Sequence, residues 1–105
     1  MTKFALTFRQ RKDYSPVADE GAAWMTWFRS IGPSIVDIGA QAVETTSLGD
    51  TGGETKLAGY TVISAVDIES AVALAQGCPA LSVGGGVEVG ALVEVGAQPT
   101  PGGQS

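Results

Sequence analysis

Acid–base and nucleophilic chemistry in this chain is restricted to a few residue types, because histidine is absent and Cys78 is the single cysteine. A Ser-His-Asp or Cys-His arrangement within one chain is therefore excluded. Zinc sites usually need several Cys or His ligands, so we expect no bound metal. Gly84–Gly86 lacks the Lys and Ser/Thr of a phosphate-binding loop and precedes a predicted strand, so we also expect no cofactor.

Asp37 is the candidate acid or base, and two interpretations are open. In the first, its carboxyl lies partly buried beside a pocket and exchanges protons with a substrate. In the second, the carboxylate ends a helical segment and accepts hydrogen bonds from nearby backbone N–H groups. Cys78 is also open to two interpretations, as a nucleophile or as a small buried apolar side chain. The second is favoured for Cys78, because no basic residue is close to it in the sequence.

Arg9 and Tyr60 are candidate ligand-binding residues. A guanidinium binds planar anions with two parallel hydrogen bonds, so the pair could hold a carboxylate. The alternative is that Arg9 forms an ion pair at the end of a strand, with Glu88 or Glu94. Ser64 completes this candidate set, because it shares the predicted strand and the strand face of Tyr60.

Trp27, with Trp24, is the candidate aromatic element of a pocket. Both belong to an apolar stripe with helical spacing, so the alternative is that they form the core beneath a helix. The stripe consists of Trp24, Trp27, Phe28 and Ile31.

Composition limits the partners. The chain has 105 residues, a net charge of −5 and 44% hydrophobic residues, which indicates one globular domain. Its acidity makes binding to a nucleic-acid backbone unfavourable. The apolar stretches are too short to span a bilayer, so no membrane association is expected. A single cysteine permits no internal disulfide, and we expect a cytoplasmic location.

The order of predicted elements defines the fold class. Strands are predicted at 3–9, 41–48, 58–65 and 87–95. A helix is predicted from about Val17 to the Gly32-Pro33 break, followed by a short helical piece up to Gly39. A second helix is capped by Asp67 and ends at Gly77. Residues 96–105 are predicted to be a disordered tail behind a domain of residues 1–95.

This βαββαβ order predicts an α+β, ferredoxin-like sandwich with an antiparallel sheet of order 4-1-3-2 and both helices on one face. The other face is left bare. A sheet with an apolar bare face is usually covered, so we expect a homodimer through this face or through the last strand. The residues expected on the bare face are Ala5, Thr7, Tyr60, Val62 and Leu92.

Two blocks of sequence resemble the YCII-related (DGPF-type) family: GYTVISAVDIESAVALAQGCP followed by GGGVEV, and AAWMTWFRSIGPSIVDIG. The resemblance implies a dimeric α/β barrel of bacterial origin in a largely uncharacterised family. Some wider relatives are thought to be enzymes that use a histidine and an aspartate, and Asp37 occupies the Val-Asp-x-Gly position. This chain has Ala80 where relatives often carry a histidine, and it lacks the Asp-Gly-Pro-Phe signature.

Two functional hypotheses remain. The first is a small-molecule-binding or enzyme-like domain with a pocket near Asp37, where Arg9, Trp27, Tyr60 and Ser64 contact an organic ligand. The second is a non-catalytic dimeric interaction or regulatory module without the histidines of its relatives. Whether the chain is an enzyme is left open, because one fold can host many activities.

Overall fold

Four strands and two helices form the protein, in a computed structural model that describes residues 1–15 and 19–95. The predicted start of the first helix near Val17 and the predicted tail 96–105 lie outside the described residues. The elements are β1 (Thr2–Arg11), α1 (Glu20–Ile31), β2 (Ile35–Gln41), β3 (Thr55–Ala65), α2 (Ile68–Ala75) and β4 (Gly86–Ala91).

The strands form one antiparallel sheet with the order β2-β3-β1-β4. Read from the opposite edge, this is the predicted order 4-1-3-2. The small α+β arrangement is thus confirmed, and it is consistent with a ferredoxin-like fold. Strands β1 and β3 lie at the centre, so the residues that they carry are positioned most firmly.

One hydrophobic core lies between the sheet and both helices. Phe4, Leu6 and Phe8 alternate along β1 and are all buried, as their spacing predicts. The helices and β3 complete the core with Trp27, Ile31, Ile63, Ala65, Ala71 and Ala75. Since the two helices share this cluster, they cover the same face of the sheet.

The predicted position of the second strand is wrong. The strand runs from Ile35 to Gln41 and not over 41–48, and the expected second helical piece is a single 3-10 turn at Gly32–Ser34. Ile35, Val36 and Ile38 are β-branched, so they favour an extended backbone once Pro33 has ended the turn. Residues 42–54 form the irregular connection to β3.

The last strand is shorter than predicted. It ends at Ala91, although the alternation of valines continues to Val95. Its partner β1 reaches only to Thr2, and the final bond in this direction is donated by the Leu92 N–H to the Lys3 carbonyl, at 2.9 Å. Without a neighbouring strand, the alternation alone does not produce a ladder.

Helix α2 begins as predicted. The Asp67 carboxylate accepts a hydrogen bond from the Ser70 backbone N–H at 2.9 Å, and this bond lowers the pKa of Asp67. Its helical turns end at Ala75, two residues before Gly77. A Cβ atom on Gly77 would lie 3.0 Å from Cδ1 of Trp27, so the end of α2 packs closely against α1.

Candidate functional site

Asp37 lies in β2 opposite Val62, and its side chain is exposed. Its Oδ1 accepts a hydrogen bond from the Gly39 backbone N–H at 2.9 Å. The pairing of β2 with β3 is irregular on both sides of Asp37, and this local bond lies within the irregular part of the strand. The geometry fits the interpretation in which Asp37 binds backbone groups, although within a strand and not at a helix exit.

The Arg9 guanidinium is bound by the beginning of β3. Its Nε donates to Thr55 Oγ1 at 3.1 Å, and one Nη donates to the carbonyls of Thr55 at 2.9 Å and Thr51 at 3.0 Å. The expected ion pair with Glu88 or Glu94 is absent from residues 1–15 and 19–95, where the single ion pair joins Arg11 to Asp13. Arg9 lines neither of the two cavities described below. Arg9 instead fixes the end of the 42–54 connection to the sheet.

Trp27 belongs to the core. Its side chain is 5% exposed, and its indole N–H donates to the Leu74 carbonyl at 3.1 Å. Its ring packs edge-on against Phe8 and Trp24, with centroid distances of 5.8 Å to each. The expected pocket wall is therefore formed by its neighbour Trp24 and not by Trp27.

Tyr60 and Ser64 lie on the face of β3 that the helices do not cover. Ser64 is paired with Lys3 and lines neither of the two cavities described below. Tyr60 is 45% exposed, and it lines the larger cavity where β3 meets β2. Among Arg9, Trp27, Asp37, Tyr60 and Ser64, only Tyr60 lines one of these two cavities.

A cleft of about 790 Å³ opens between α1 and the adjoining ends of β2 and β3; we call it the aromatic cleft. Trp24 and Phe28 line it from α1, and Phe8 lines it from β1. The Trp24 ring stands edge-on to Phe8 at 5.0 Å and lies 5.8 Å from Phe28, so these rings fix one another in position. Large side chains between helix and sheet thus create a deep apolar wall.

Polar residues also line this cleft. Tyr14 is one of them, and its hydroxyl is buried and has no hydrogen-bond partner within the described ranges. Gln10 and Lys56, which face each other across β1 and β3, line its floor. Leaving a buried hydroxyl unpaired costs roughly 1–3 kcal/mol, so Tyr14 is suited to bind a molecule that enters the cleft.

A second cavity of about 480 Å³, which we call the lysine pocket, adjoins the aromatic cleft. It is lined by Lys12 and Lys56, by Gln10, and by the 42–54 connection through Thr45 and Ser47. Gln10 and Lys56 line both cavities, so the two are neighbours on either side of these residues.

Cys78 is buried, with 3% of its surface exposed. Burial raises the pKa of its thiol, which keeps it protonated and unreactive near neutral pH. The thiol lines neither cavity. These observations fit the interpretation of Cys78 as a small apolar core residue.

In the described part of the chain, no three Cys, Asp or Glu side chains lie close enough to hold a metal ion. No helix there is both long and apolar enough to cross a membrane.

No protein-family model, curated protein or solved structure matches this chain. The geometry of its own residues therefore has to support any functional conclusion.

The residues that sequence reasoning missed are Gln10, Tyr14 and Lys56, which come from separate segments with no shared motif. The one available signal was the helical stripe that contains Trp24 and Phe28.

Proposed function

We propose that the protein binds a small organic molecule with a planar, mainly apolar body in the aromatic cleft. The observation that carries this proposal is a ring-lined cleft whose lining includes Tyr14, a residue whose buried hydroxyl has no partner among the described residues. Ligand sites are usually concave, largely apolar and equipped with a few polar groups that orient the ligand. The volume of about 790 Å³ lies inside the usual range for such sites, about 300–1,000 Å³.

The roles of the cleft residues follow from their chemistry. Trp24 and Phe28 offer rings against which a flat ligand packs in offset or edge-on geometry. The Tyr14 hydroxyl gives or accepts one hydrogen bond and so fixes the orientation of the ligand. Asp37 has no part in this binding function, since its side chain does not line the cleft. The proposal is a binding function, without a catalytic step.

Filling the cleft from α1 tests this function. Gly21 lines the cleft, and a Cβ atom on it would meet nothing within 4 Å. We expect Gly21→Phe to place a ring in the ligand space and weaken binding of the neutral fluorescent probe N-phenylnaphthylamine at least about tenfold. The fold should be retained, because replacing glycine inside a helix favours the helix.

The matched control is Gly53→Phe. Gly53 also has open space around a Cβ atom, but it lies in the 42–54 connection and lines neither cavity. Fluorescence titration of both variants gives the comparison, with circular dichroism to check folding. If both substitutions affect the probe equally, or if the wild-type protein does not bind it, the aromatic cleft is not a binding site.

We also propose, as the resemblance to the YCII-related family implies, that two copies pair through the open face of the sheet. Family membership, with its bacterial and cytoplasmic setting, is part of this proposal. The support is that Tyr60 and Leu92 on this face remain 45% and 43% exposed in the single chain. Val62 lies two residues after Tyr60 on the same face of the central strand β3 and is half-buried.

Charge on this face should prevent the pairing. We expect the wild-type protein to sediment as a dimer at micromolar concentration and Val62→Lys to sediment as a monomer, because a stable interface buries at least about 1,000 Å² of mostly apolar surface. Val43→Lys is the control, since Val43 is 87% exposed in the 42–54 connection. A monomeric wild-type protein would contradict the dimer and leave the binding function unaffected.

A further inference from the structure

The distribution of charge around the lysine pocket is unusual for this protein. The chain has 11 acidic and 6 basic residues, yet two of the basic ones, Lys12 and Lys56, line this one cavity. No acidic residue of the described ranges lines it. A lining with two lysines and no acidic residue favours an anion over a cation in this cavity.

Neither lysine is neutralised by an ion pair. Within the described residues, the single ion pair joins Arg11 to Asp13 at 3.0 Å, so Arg11 is occupied while its neighbour Lys12 is not. The Lys12 backbone N–H donates to the Glu54 carbonyl at 3.1 Å, which holds this residue beside the start of β3. Lys56 lies two residues after Glu54, in β3, and is paired with Gln10 of β1.

Neutral donors complete the cavity. Gln10, Thr45 and Ser47 line it, and their amide and hydroxyl groups are of the kind that donate hydrogen bonds to an anionic oxygen. The Arg9 bond to the Thr51 carbonyl fixes the far part of the connection that carries both hydroxyl residues. Ammonium and neutral donors around one cavity are typical of a site for a carboxylate or a phosphate.

We infer that the ligand is an aromatic or similarly planar anion whose carboxylate or phosphate group occupies the lysine pocket while its apolar body lies in the aromatic cleft. Gln10 and Lys56 line both cavities, so an anionic group on a molecule in the cleft would lie beside residues of the lysine pocket. The inference rests on the proposed binding function and adds to it the charge of the ligand.

Two probes that differ in one charged group test the inference. Anilinonaphthalene sulfonate carries an anionic group on the ring system of N-phenylnaphthylamine, which is neutral. We expect Lys12→Met and Lys56→Met each to weaken the anionic probe about three- to tenfold. We expect Lys12→Met to change the neutral probe by less than about twofold, because Lys12 lines the lysine pocket and not the aromatic cleft. The control is Lys3→Met, because Lys3 is exposed on β1 and lines neither cavity.

Competition separates the two possible anionic groups. Naphthaleneacetate and naphthyl phosphate are added to the complex with the anionic probe, and the one that displaces it at lower concentration identifies carboxylate or phosphate as the preferred group. Displacement by neither overturns the inference. Equal affinities of the anionic probe for the wild-type protein and both lysine variants also overturn the inference. In that case the proposed binding function still stands if the neutral probe binds the wild-type protein and Gly21→Phe abolishes this binding. Failure of both probes to bind overturns both proposals.

Discussion

The Gly39→Ala variant is expected to lose about 2–5 kcal/mol of folding free energy, enough to unfold much of a marginally stable domain. Gly39 has a φ angle of +78°, in the left-handed region that disfavours any residue with a Cβ atom. A Cβ atom placed there would also overlap the carbonyl oxygen of Tyr60 in the neighbouring strand. The two costs act together, because the same atom causes both.

The surrounding backbone has little freedom to relax. The Gly39 N–H is bound by Asp37 Oδ1 at 2.9 Å, and the preceding Ile38 carbonyl accepts from Thr61 Oγ1 at 2.8 Å. Thr61 is fully buried, so a shift of this part of β2 would leave its hydroxyl without a hydrogen-bond partner. The obstacle is the backbone carbonyl of Tyr60, which cannot rotate away as a long side chain can.

Gly49→Ala is the matched control for this prediction. Gly49 has a φ angle of +71°, but a Cβ atom on it would meet nothing within 4 Å. It should therefore lose only the conformational part, about 1–2 kcal/mol. Urea unfolding of the three proteins measures the difference, and equal losses in the two variants would show that the contact with Tyr60 is unimportant.

The central part of the fold could be predicted from sequence because its pattern is local and regular. Phe4, Leu6 and Phe8 alternate strictly, and Asp67 precedes the apolar positions of α2 at the spacing of a cap. In β2 the pairing is irregular on both sides of Asp37. Each irregularity interrupts the alternation of faces, so the strand has no period of two that sequence analysis could detect.

The candidate site could be predicted only in part, because its residues meet through packing between distant segments. The sequence predicts that Arg9 binds a planar anion, but its guanidinium donates hydrogen bonds to the carbonyls of Thr51 and Thr55. No sequence pattern marks such a loop contact. Trp24 and Trp27 share one helical stripe, and the pattern cannot tell which ring faces the core and which faces the cleft.

The difference between these two tryptophans gives the second large expected effect. Trp27→Ala should cost about 3–5 kcal/mol, because it removes a buried ring from the centre of the core. Trp24 is only half-buried at the margin of that core, so Trp24→Ala should cost less, roughly 1–3 kcal/mol. The order should reverse for binding, since Trp24 lines the cleft and Trp27 does not.

A milder substitution keeps this test valid if Trp27→Ala does not fold. Trp27→Phe retains a ring in the core and removes the indole N–H bond to the Leu74 carbonyl, so it should cost roughly 1–3 kcal/mol and leave probe affinity within about twofold of wild type. Trp24→Ala should weaken N-phenylnaphthylamine at least about tenfold while remaining folded. Urea unfolding and fluorescence titration of the same samples separate stability from binding. Loss of binding in Trp27→Phe but not in Trp24→Ala would place the ligand in the core beneath α1 and would contradict a site in the aromatic cleft.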